Sequence, residues 1–235
     1  MIARLLDVLL PTLKAVKADV AAKHGFEASF WMKQYIIQQL RTPGKALGGV
    51  YEPCFTALVE LTLADYSGKK LLDIGCGPLG TLEWAGMTAE RVGLDPLVNT
   101  YRLLGIDRHK MTYMQAVSEK IPYPDCYFDI VSCFNALDHV DDLDRTVAEI
   151  KRVVAKSGLF LLGVDTNHSP TIAEPVAIDW NISKKFSPEF EAEFERHYEK
   201  SSTSYIDVMR AKTYFDHDDP RPRPGIIVLK LRKVV

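Results

Sequence analysis

A chain of 235 residues with 47% hydrophobic and 26% charged side chains is long enough to bury a sizeable core and has the composition of an ordinary globular protein. The formal net charge of −2 argues against a nucleic-acid-binding protein, which would carry a basic face. No apolar run approaches the roughly 18 residues of a membrane span, so we expect no stable membrane insertion. The four cysteines form no C-x-x-C pair, which favours reduced thiols and a cytoplasmic location.

The first 67 residues show helical patterns rather than strand patterns. Apolar residues at helical spacing predict helices over residues 2–22, 27–40 and 51–63. Gly25 is expected to break the chain between the first two of these helices. We therefore predict a helical extension over residues 1–67 that covers a cofactor or substrate, followed by a larger domain over residues 68–235.

Three aromatic residues of this extension are candidates for the wall of a substrate pocket: Trp31, Tyr35 and Tyr51. Aromatic side chains at helical spacing belong more often to a core than to a ligand site, so packing is the alternative explanation. The pocket assignment depends on whether the extension closes over a ligand.

A strand followed by a glycine turn is predicted at residues 70–80. Residues 70–74 are mainly apolar, and Gly75, Gly77 and Gly80 follow them. Glycine reaches positive φ without strain and allows a ligand to approach the backbone closely. The spacing Gly75-x-Gly77-x-x-Gly80 satisfies the dinucleotide-binding pattern, which is weak evidence when it stands alone.

A short helix over residues 81–86 and a second strand are predicted to follow this turn. The N–H groups at the start of such a helix would favour an anionic ligand group. The second strand ends at Asp95, which lies 20 residues after Gly75. That distance is typical of a carboxylate that accepts hydrogen bonds from ribose hydroxyls. The unit therefore predicts a nucleoside-containing cofactor without deciding which one.

Strands and helices alternate beyond Asp95. The patterns predict a helix over residues 98–104, strands over 111–116, 128–134 and 159–164, a helix over 141–155, a turn at 156–158, a helix over 177–186, and strands over 191–200 and 226–234. This alternation predicts an α/β fold of the Rossmann-like three-layer type. We expect a mostly parallel seven-stranded sheet with an antiparallel C-terminal strand.

Several sequence blocks resemble the class I S-adenosylmethionine-dependent methyltransferases. They are Asp73-Ile74-Gly75-Cys76-Gly77, Gln115-Ala116, Ile121 to Asp125 with Tyr127 to Val131, Phe134 to Asp142, and Glu149 to Leu161. Their order and spacing are more specific than the glycines alone. The resemblance covers roughly residues 50–165 and is strongest to the methyltransferase type 11 group, which includes the ubiquinone and menaquinone methyltransferases.

The resemblance implies S-adenosyl-L-methionine as the methyl donor and S-adenosyl-L-homocysteine as its product. It also implies a cofactor site made of Asp73, Gly75, Cys76 and Gly77 at the methionine end, Asp95 at the ribose, Pro96, Leu97, Gln115 and Ala116 at the adenine, and the Phe134 carbonyl at the amino group. The chain departs from the family pattern at Leu79, where the third glycine usually falls, and at Gln115, which is often acidic.

His139 is the candidate catalytic residue, because it follows the fourth strand and can act as a general base. The alternative is that His139 caps or packs the next helix. No metal site is predicted, since His217 and the acidic residues around it fit a solvated loop.

We therefore predict a methyltransferase (EC 2.1.1) that acts on a small-molecule acceptor. The alternatives are an NAD(P)-dependent oxidoreductase that uses the same glycine turn, and a binding protein that keeps the cofactor site without catalysing transfer. The segment after the fourth strand is not (D/N)-P-P-(Y/F), which together with the near-neutral charge argues against a DNA adenine methyltransferase. A homodimer is compatible with this prediction.

Overall fold

A computed structural model describes residues 22–41, 48–202 and 205–235. The helix predicted over residues 2–22 lies outside these ranges except for its last residue. Helix α1 spans Ala22–Arg41, so the break predicted at Gly25 is wrong. One glycine inside a helix costs only about 1 kcal/mol, and the burial of Ala28 and Met32 on the same helix offsets that cost.

Seven strands form one sheet in the order β3-β2-β1-β4-β5-β7-β6. The strands are β1 Lys70–Ile74, β2 Glu90–Leu94, β3 Thr112–Met114, β4 Phe128–Phe134, β5 Val154–Thr166, β6 Phe190–Glu199 and β7 Gly225–Lys233. Strands β1 to β5 pair in parallel, whereas β7 runs antiparallel to both β5 and β6. The predicted fold class is confirmed.

The central strands are buried on both faces, which explains their continuous apolar sequences. Leu72 of β1 and Val131 of β4 pack into a core on one face of the sheet. Their neighbours Leu71 and Ile130 pack into a second core on the opposite face. Because successive side chains of a strand point to opposite faces, the sheet is the middle layer of three.

The remaining helices are shorter than the sequence predicts, apart from one that was not predicted. They are α2 Gly48–Phe55, α3 Val98–Arg102, α4 Leu143–Val153 and α5 Tyr205–Ala211. The predicted helix over residues 51–63 is wrong beyond Phe55, because the chain turns there and Glu60 has a φ of 53°. None of the helices in the described ranges is long and apolar enough to cross a membrane.

Two further predictions in the second half of the chain are wrong. Only a 3₁₀ turn, Ile182–Phe186, forms where a helix was predicted over residues 177–186. The turn predicted at residues 156–158 lies within β5, which starts at Val154. Ser157 bends the backbone there with a φ of 59°, but the pairing with β4 continues on both sides.

The helix predicted over residues 81–86 is also wrong, because this segment forms turns. The Arg91 guanidinium donates to the carbonyl oxygens of Leu82 and Glu83 at 3.2 and 3.0 Å. Those carbonyls therefore find partners outside a helical ladder, and a segment of this length cannot offset the cost of helix nucleation. The anion-binding helix start inferred from the sequence does not form.

Candidate active site

One cavity of about 240 Å³ opens at the carboxyl ends of β1, β2 and β4. Ligands of α/β proteins bind at this edge of the sheet. Residues from the strand ends contribute one wall, including Gly75, Asp95, Asn135 and His139. Helix α1 contributes the opposite wall with side chains that include Lys23, Glu27 and Trp31. The cavity thus lies between the sheet and the helical extension.

Two glycines of the predicted turn have a left-handed backbone, and one of them also lacks room for a side chain. Gly75 has a φ of 72°, and a Cβ atom added to it would lie 2.3 Å from the Cβ of Ala136. Gly77 has a φ of 57°, and its added Cβ would lie 3.4 Å from the Trp31 ring. Both positions therefore favour glycine for its backbone conformation, and Gly75 also requires it because of the close Ala136 side chain.

Asp95 lines the cavity directly after β2 and is only 6% exposed. Its Oδ2 accepts a hydrogen bond from the Gly77 N–H at 3.0 Å, and its Oδ1 accepts one from the Leu97 N–H at 2.8 Å. Burial raises the pKa of Asp95 to about 6, although the two backbone hydrogen bonds act in the opposite direction. The carboxylate is held at the place that the sequence pattern assigns to a ribose ligand.

Asp73 lies behind the glycine turn, and the residues that line the cavity do not include it. Its carboxylate accepts hydrogen bonds from the Thr81 hydroxyl at 2.6 Å and from the Ser132 hydroxyl at 2.8 Å. Burial raises the pKa of Asp73 to about 6. In this arrangement Asp73 connects β1, β4 and the segment after the glycines, so it positions the turn.

The other predicted cofactor residues divide between the cavity and its surroundings. Pro96 lines the cavity, whereas Leu97 is buried in a core beneath it. Cys76 is buried, and its Sγ would lie 2.6 Å from a Cβ added to Gly93. The Cys76 thiol therefore packs between strands, and burial raises its pKa well above the usual value.

Three predicted residues near the adenine and amino-group ends lie outside the cavity wall. Gln115 is exposed, and its Oε1 accepts a hydrogen bond from the Asn99 N–H at 2.8 Å. Ala116 is half-buried against the core, and the Phe134 ring packs on Phe55 with centroids 5.1 Å apart. The following residues, Val117 to Glu119 and Asn135, line the cavity instead. The binding roles of Gln115, Ala116 and Phe134 remain predictions.

Of the three aromatic residues predicted for a substrate pocket, the structure places one at the cavity. Trp31 lines it, whereas the Tyr35 hydroxyl accepts a hydrogen bond from Arg108 at 3.1 Å on another side of α1. Tyr51 packs in the core, and burial raises its pKa to about 12. Phe26 and Phe30 also line the cavity, with 65% and 48% of their surface exposed, and of these two sequence reasoning missed Phe26. Their spacing of four residues on one helix face was the available signal.

His139 lies at the end of a 3₁₀ turn, Leu137–His139, and lines the cavity. Its Nδ1 is 2.9 Å from Oε1 of Glu27, which belongs to α1. Burial acts to lower the pKa of His139, but the carboxylates of Glu27, Asp138 and Glu174 outweigh it and raise the pKa. The predicted catalytic histidine thus lies at the cavity, and a carboxylate from the extension orients it.

Comparison with known proteins identifies the domain that holds this cavity. Residues 72–162 match the family model described as a methyltransferase domain. An uncharacterized methyltransferase, YcgJ of Bacillus subtilis, is 31% identical over 40% of this chain and 39% of its own length. The ubiquinone/menaquinone biosynthesis C-methyltransferase UbiE of Stutzerimonas stutzeri is 28% identical over 49% of this chain and 48% of its own. The chain thus spans less than half the length of these relatives.

A solved structure shows the same fold over a longer range. A putative methyltransferase from Bacillus halodurans superposes with a TM-score of 0.54 and 18% identity, covering 80% of this chain and 100% of that one. The sheet order and the glycine turn beside Asp95 define the class I methyltransferase fold. The chain therefore has this fold, and within it residues 72–162 are similar in sequence to methyltransferase domains.

Proposed function

We propose that the protein transfers a methyl group from S-adenosylmethionine to a small-molecule acceptor. The observation that carries this proposal is that Gly75 and Asp95, predicted from separate parts of the motif, line one cavity at the ligand edge of the sheet. Members of the matching family use S-adenosylmethionine as methyl donor, which supports the same cofactor here.

The Asp95 carboxylate has the hydrogen-bonding capacity that a ribose requires. A carboxylate offers about four lone-pair sites, and the N–H groups of Gly77 and Leu97 use two of them. The remaining sites can accept hydrogen bonds from the two ribose hydroxyls without disrupting the turn. Asp95 would therefore bind the nucleoside while it holds the backbone around it.

The described cavity is smaller than the roughly 300–1,000 Å³ of most small-molecule sites. Trp31 packs on Gly77 and occupies part of the space next to the glycine turn. Cofactor binding would therefore displace α1 outward from the turn. The exposed rings of Phe26 and Phe30 at the cavity would then offer an apolar surface to an acceptor.

The residues around the cavity account for methyl transfer mainly by positioning. Bound S-adenosylmethionine supplies an electrophilic methyl group, so an acceptor held close and in line needs little further activation. Orientation of this kind contributes on the order of 7–11 kcal/mol in favourable cases. Helix α1 would exclude water from the site, and His139, oriented by Glu27, could take a proton from an acceptor that must lose one.

Thermal unfolding with S-adenosylhomocysteine or NAD tests the cofactor assignment. We expect S-adenosylhomocysteine to raise the melting temperature and NAD to leave it unchanged, because a ligand stabilises only the state that binds it. Stabilisation by NAD alone would favour an oxidoreductase instead. Transfer of a labelled methyl group to a panel of oxygen, nitrogen, sulfur and carbon acceptors then separates an enzyme from a protein that only binds the cofactor.

A further inference from the structure

Four titratable side chains meet beside the cavity: Asp138, His139, His168 and Glu174, here called the Asp138 cluster. Asp138 is only 1% exposed, yet neither of its carboxylate oxygens has a hydrogen-bond partner within the described ranges. The Nε2 atoms of His139 and His168 are also buried and lack a hydrogen-bond partner there. Buried polar groups are normally satisfied, so four such atoms facing one another indicate a missing ligand.

The separations in the Asp138 cluster suit a single metal ion. The Nε2 of His168 lies 3.5 Å from Oδ2 of Asp138, and the Nε2 of His139 lies 3.9 Å from Oδ1 of the same carboxylate. Oε1 of Glu174 is 4.0 Å from the Nε2 of His139. Tetrahedral ligands bound at about 2.1 Å lie about 3.4 Å apart. The ligand atoms of Asp138, His139 and Glu174 all lie within 4.8 Å of one another, so a contraction would bring these three into coordination. His168, which is close to Asp138, would have to move towards the other two to join them.

Both imidazole rings are oriented as metal ligands usually are. The Nδ1–H of His139 donates to the Glu27 carboxylate at 2.9 Å, and the Nδ1–H of His168 donates to the Ser169 carbonyl at 3.1 Å. These two bonds use the Nδ1 atoms and leave both Nε2 atoms, which lie near the Asp138 carboxylate, available to a metal ion. Histidine ligands typically donate their other N–H to a carboxylate or a carbonyl in this way.

We propose that Asp138, His139, His168 and Glu174 bind one divalent first-row transition-metal ion, of which Zn²⁺ is the representative. Two imidazoles suit such an ion better than Mg²⁺ or Ca²⁺, which prefer all-oxygen ligands. Two carboxylates balance its charge, so the occupied site would be neutral in a buried place. This assignment differs from the prediction of no metal site, because the sequence separates Asp138 from His168 and Glu174.

The position of the Asp138 cluster links the ion to the methyl acceptor. His139 and Glu174 line the cavity, whereas Asp138 and His168 lie behind them. An ion held there would bind an oxygen or sulfur atom of the acceptor by expanding from four to five ligands, and it would lower the pKa of that atom, which would replace a general base. His139 would then be a ligand. This last step rests on the proposed function, but the metal site itself does not.

Titration of the full chain with Zn²⁺ and with Co²⁺, after removal of metals by a chelator, tests the site directly. We expect one ion per chain, with visible Co²⁺ absorption bands typical of a low-coordinate nitrogen and oxygen site. Asp138→Asn and His168→Ala should each weaken binding by more than about 100-fold, and Glu27→Gln by roughly 10–100-fold. His217→Gln is the matched control, since it removes a histidine from a distant exposed cluster and should leave binding unchanged.

The stability of metal-free Asp138→Asn distinguishes a metal site from a buried ion pair. A carboxylate that lacks partners destabilises the metal-free fold, so this variant should melt at the same temperature as the wild type or higher. Added Zn²⁺ should raise the melting temperature of the wild type only. A folded wild type that binds no stoichiometric metal, or an Asp138→Asn variant that binds as tightly, would overturn the proposal whatever the outcome of the methyl-transfer assay.

Discussion

The Asp95 carboxylate is buried, and a ribose ligand would bind best to its ionised form. Its pKa is raised to about 6, since burial disfavours the ionised carboxylate and Glu27 and Asp73 add negative charge nearby. Ribose hydroxyls would donate hydrogen bonds to the ionised form and so favour it. Ligand binding should therefore lower this pKa and release a proton when the free protein starts protonated.

The affinity for S-adenosylhomocysteine should consequently fall as the pH drops below about 6, by up to about tenfold per pH unit, and level off above that pH. Isothermal titration between about pH 8 and pH 5 measures this dependence. Asp73, which also titrates near 6, is buried behind the turn, so its effect on the ligand is indirect. An affinity that is the same across this range would contradict a ribose-binding carboxylate at Asp95.

Gly75 should be the most sensitive position in the turn. Alanine there combines a left-handed backbone with a 2.3 Å approach to Ala136, so Gly75→Ala should lower the free energy of unfolding by about 2–5 kcal/mol. Gly68→Ala is the matched control, because Gly68 has a φ of 69° but no atom within 4 Å of the added Cβ. Denaturant titration should show a smaller loss for Gly68→Ala, and equal losses would show that crowding at Gly75 costs nothing.

At the scale of elements, α1 forms the wall that faces the glycine turn. It is held there by the Glu27–His139 contact and by Lys23, whose Nζ lies 2.6 Å from Asp141. Trp31 completes the contact by packing on Gly77. A ligand between this helix and the sheet would contact both. Ligand binding should therefore reduce the opening of α1.

Amide hydrogen exchange should detect this coupling. We expect S-adenosylhomocysteine to slow exchange in the segment from Phe26 to Trp31, because a bound ligand restricts local opening of the helix that covers it. The last turn of helix α4, residues 150–153, does not line the cavity and should serve as the internal reference that shows little change. Protection confined to the strand ends, with α1 unaffected, would refute the role of the extension as a cover.

The elements that sequence reasoning predicted well are those whose identity is local. Strand β4 was predicted with its observed bounds, because Phe128–Phe134 is an apolar run buried on both faces. The segment 81–86 was mispredicted, since the distant Arg91 side chain satisfies its carbonyls. Helix α5 carried no strong pattern and was missed. The local sequence of residues 81–86 could not reveal the contact with Arg91.

The residues of the candidate site also differ in whether local sequence could predict their place. Gly75 and Asp95 follow the neighbouring strands β1 and β2, and their spacing in the sequence predicted that both lie at one ligand site. His168 approaches Asp138 and Glu174 approaches His139 only because the loop that follows β5 folds back towards the end of β4. Chain separation of this kind leaves no periodic signal, so the Asp138 cluster could be recognised only in the fold.

In the whole molecule, the residues that line the cavity do not all belong to the segment that matches the family model. The methyltransferase match covers residues 72–162, which supply the glycine turn, Asp95 and His139. The remaining walls come from α1 and from Ala173 and Glu174, which lie outside that range. We infer that the matched domain binds the cofactor and that the flanking segments select the acceptor. The relatives therefore do not identify the acceptor of this chain.

Calorimetric titration of S-adenosylhomocysteine into the wild type, Asp95→Asn and the exposed control Asp107→Asn tests the central claim most directly. We expect one binding site in the wild type, unchanged affinity in Asp107→Asn, and a loss of at least about tenfold in Asp95→Asn, because a carboxylate acceptor of charged hydrogen bonds is removed. A folded wild type that does not bind S-adenosylhomocysteine, or equal affinity in Asp95→Asn, would contradict it.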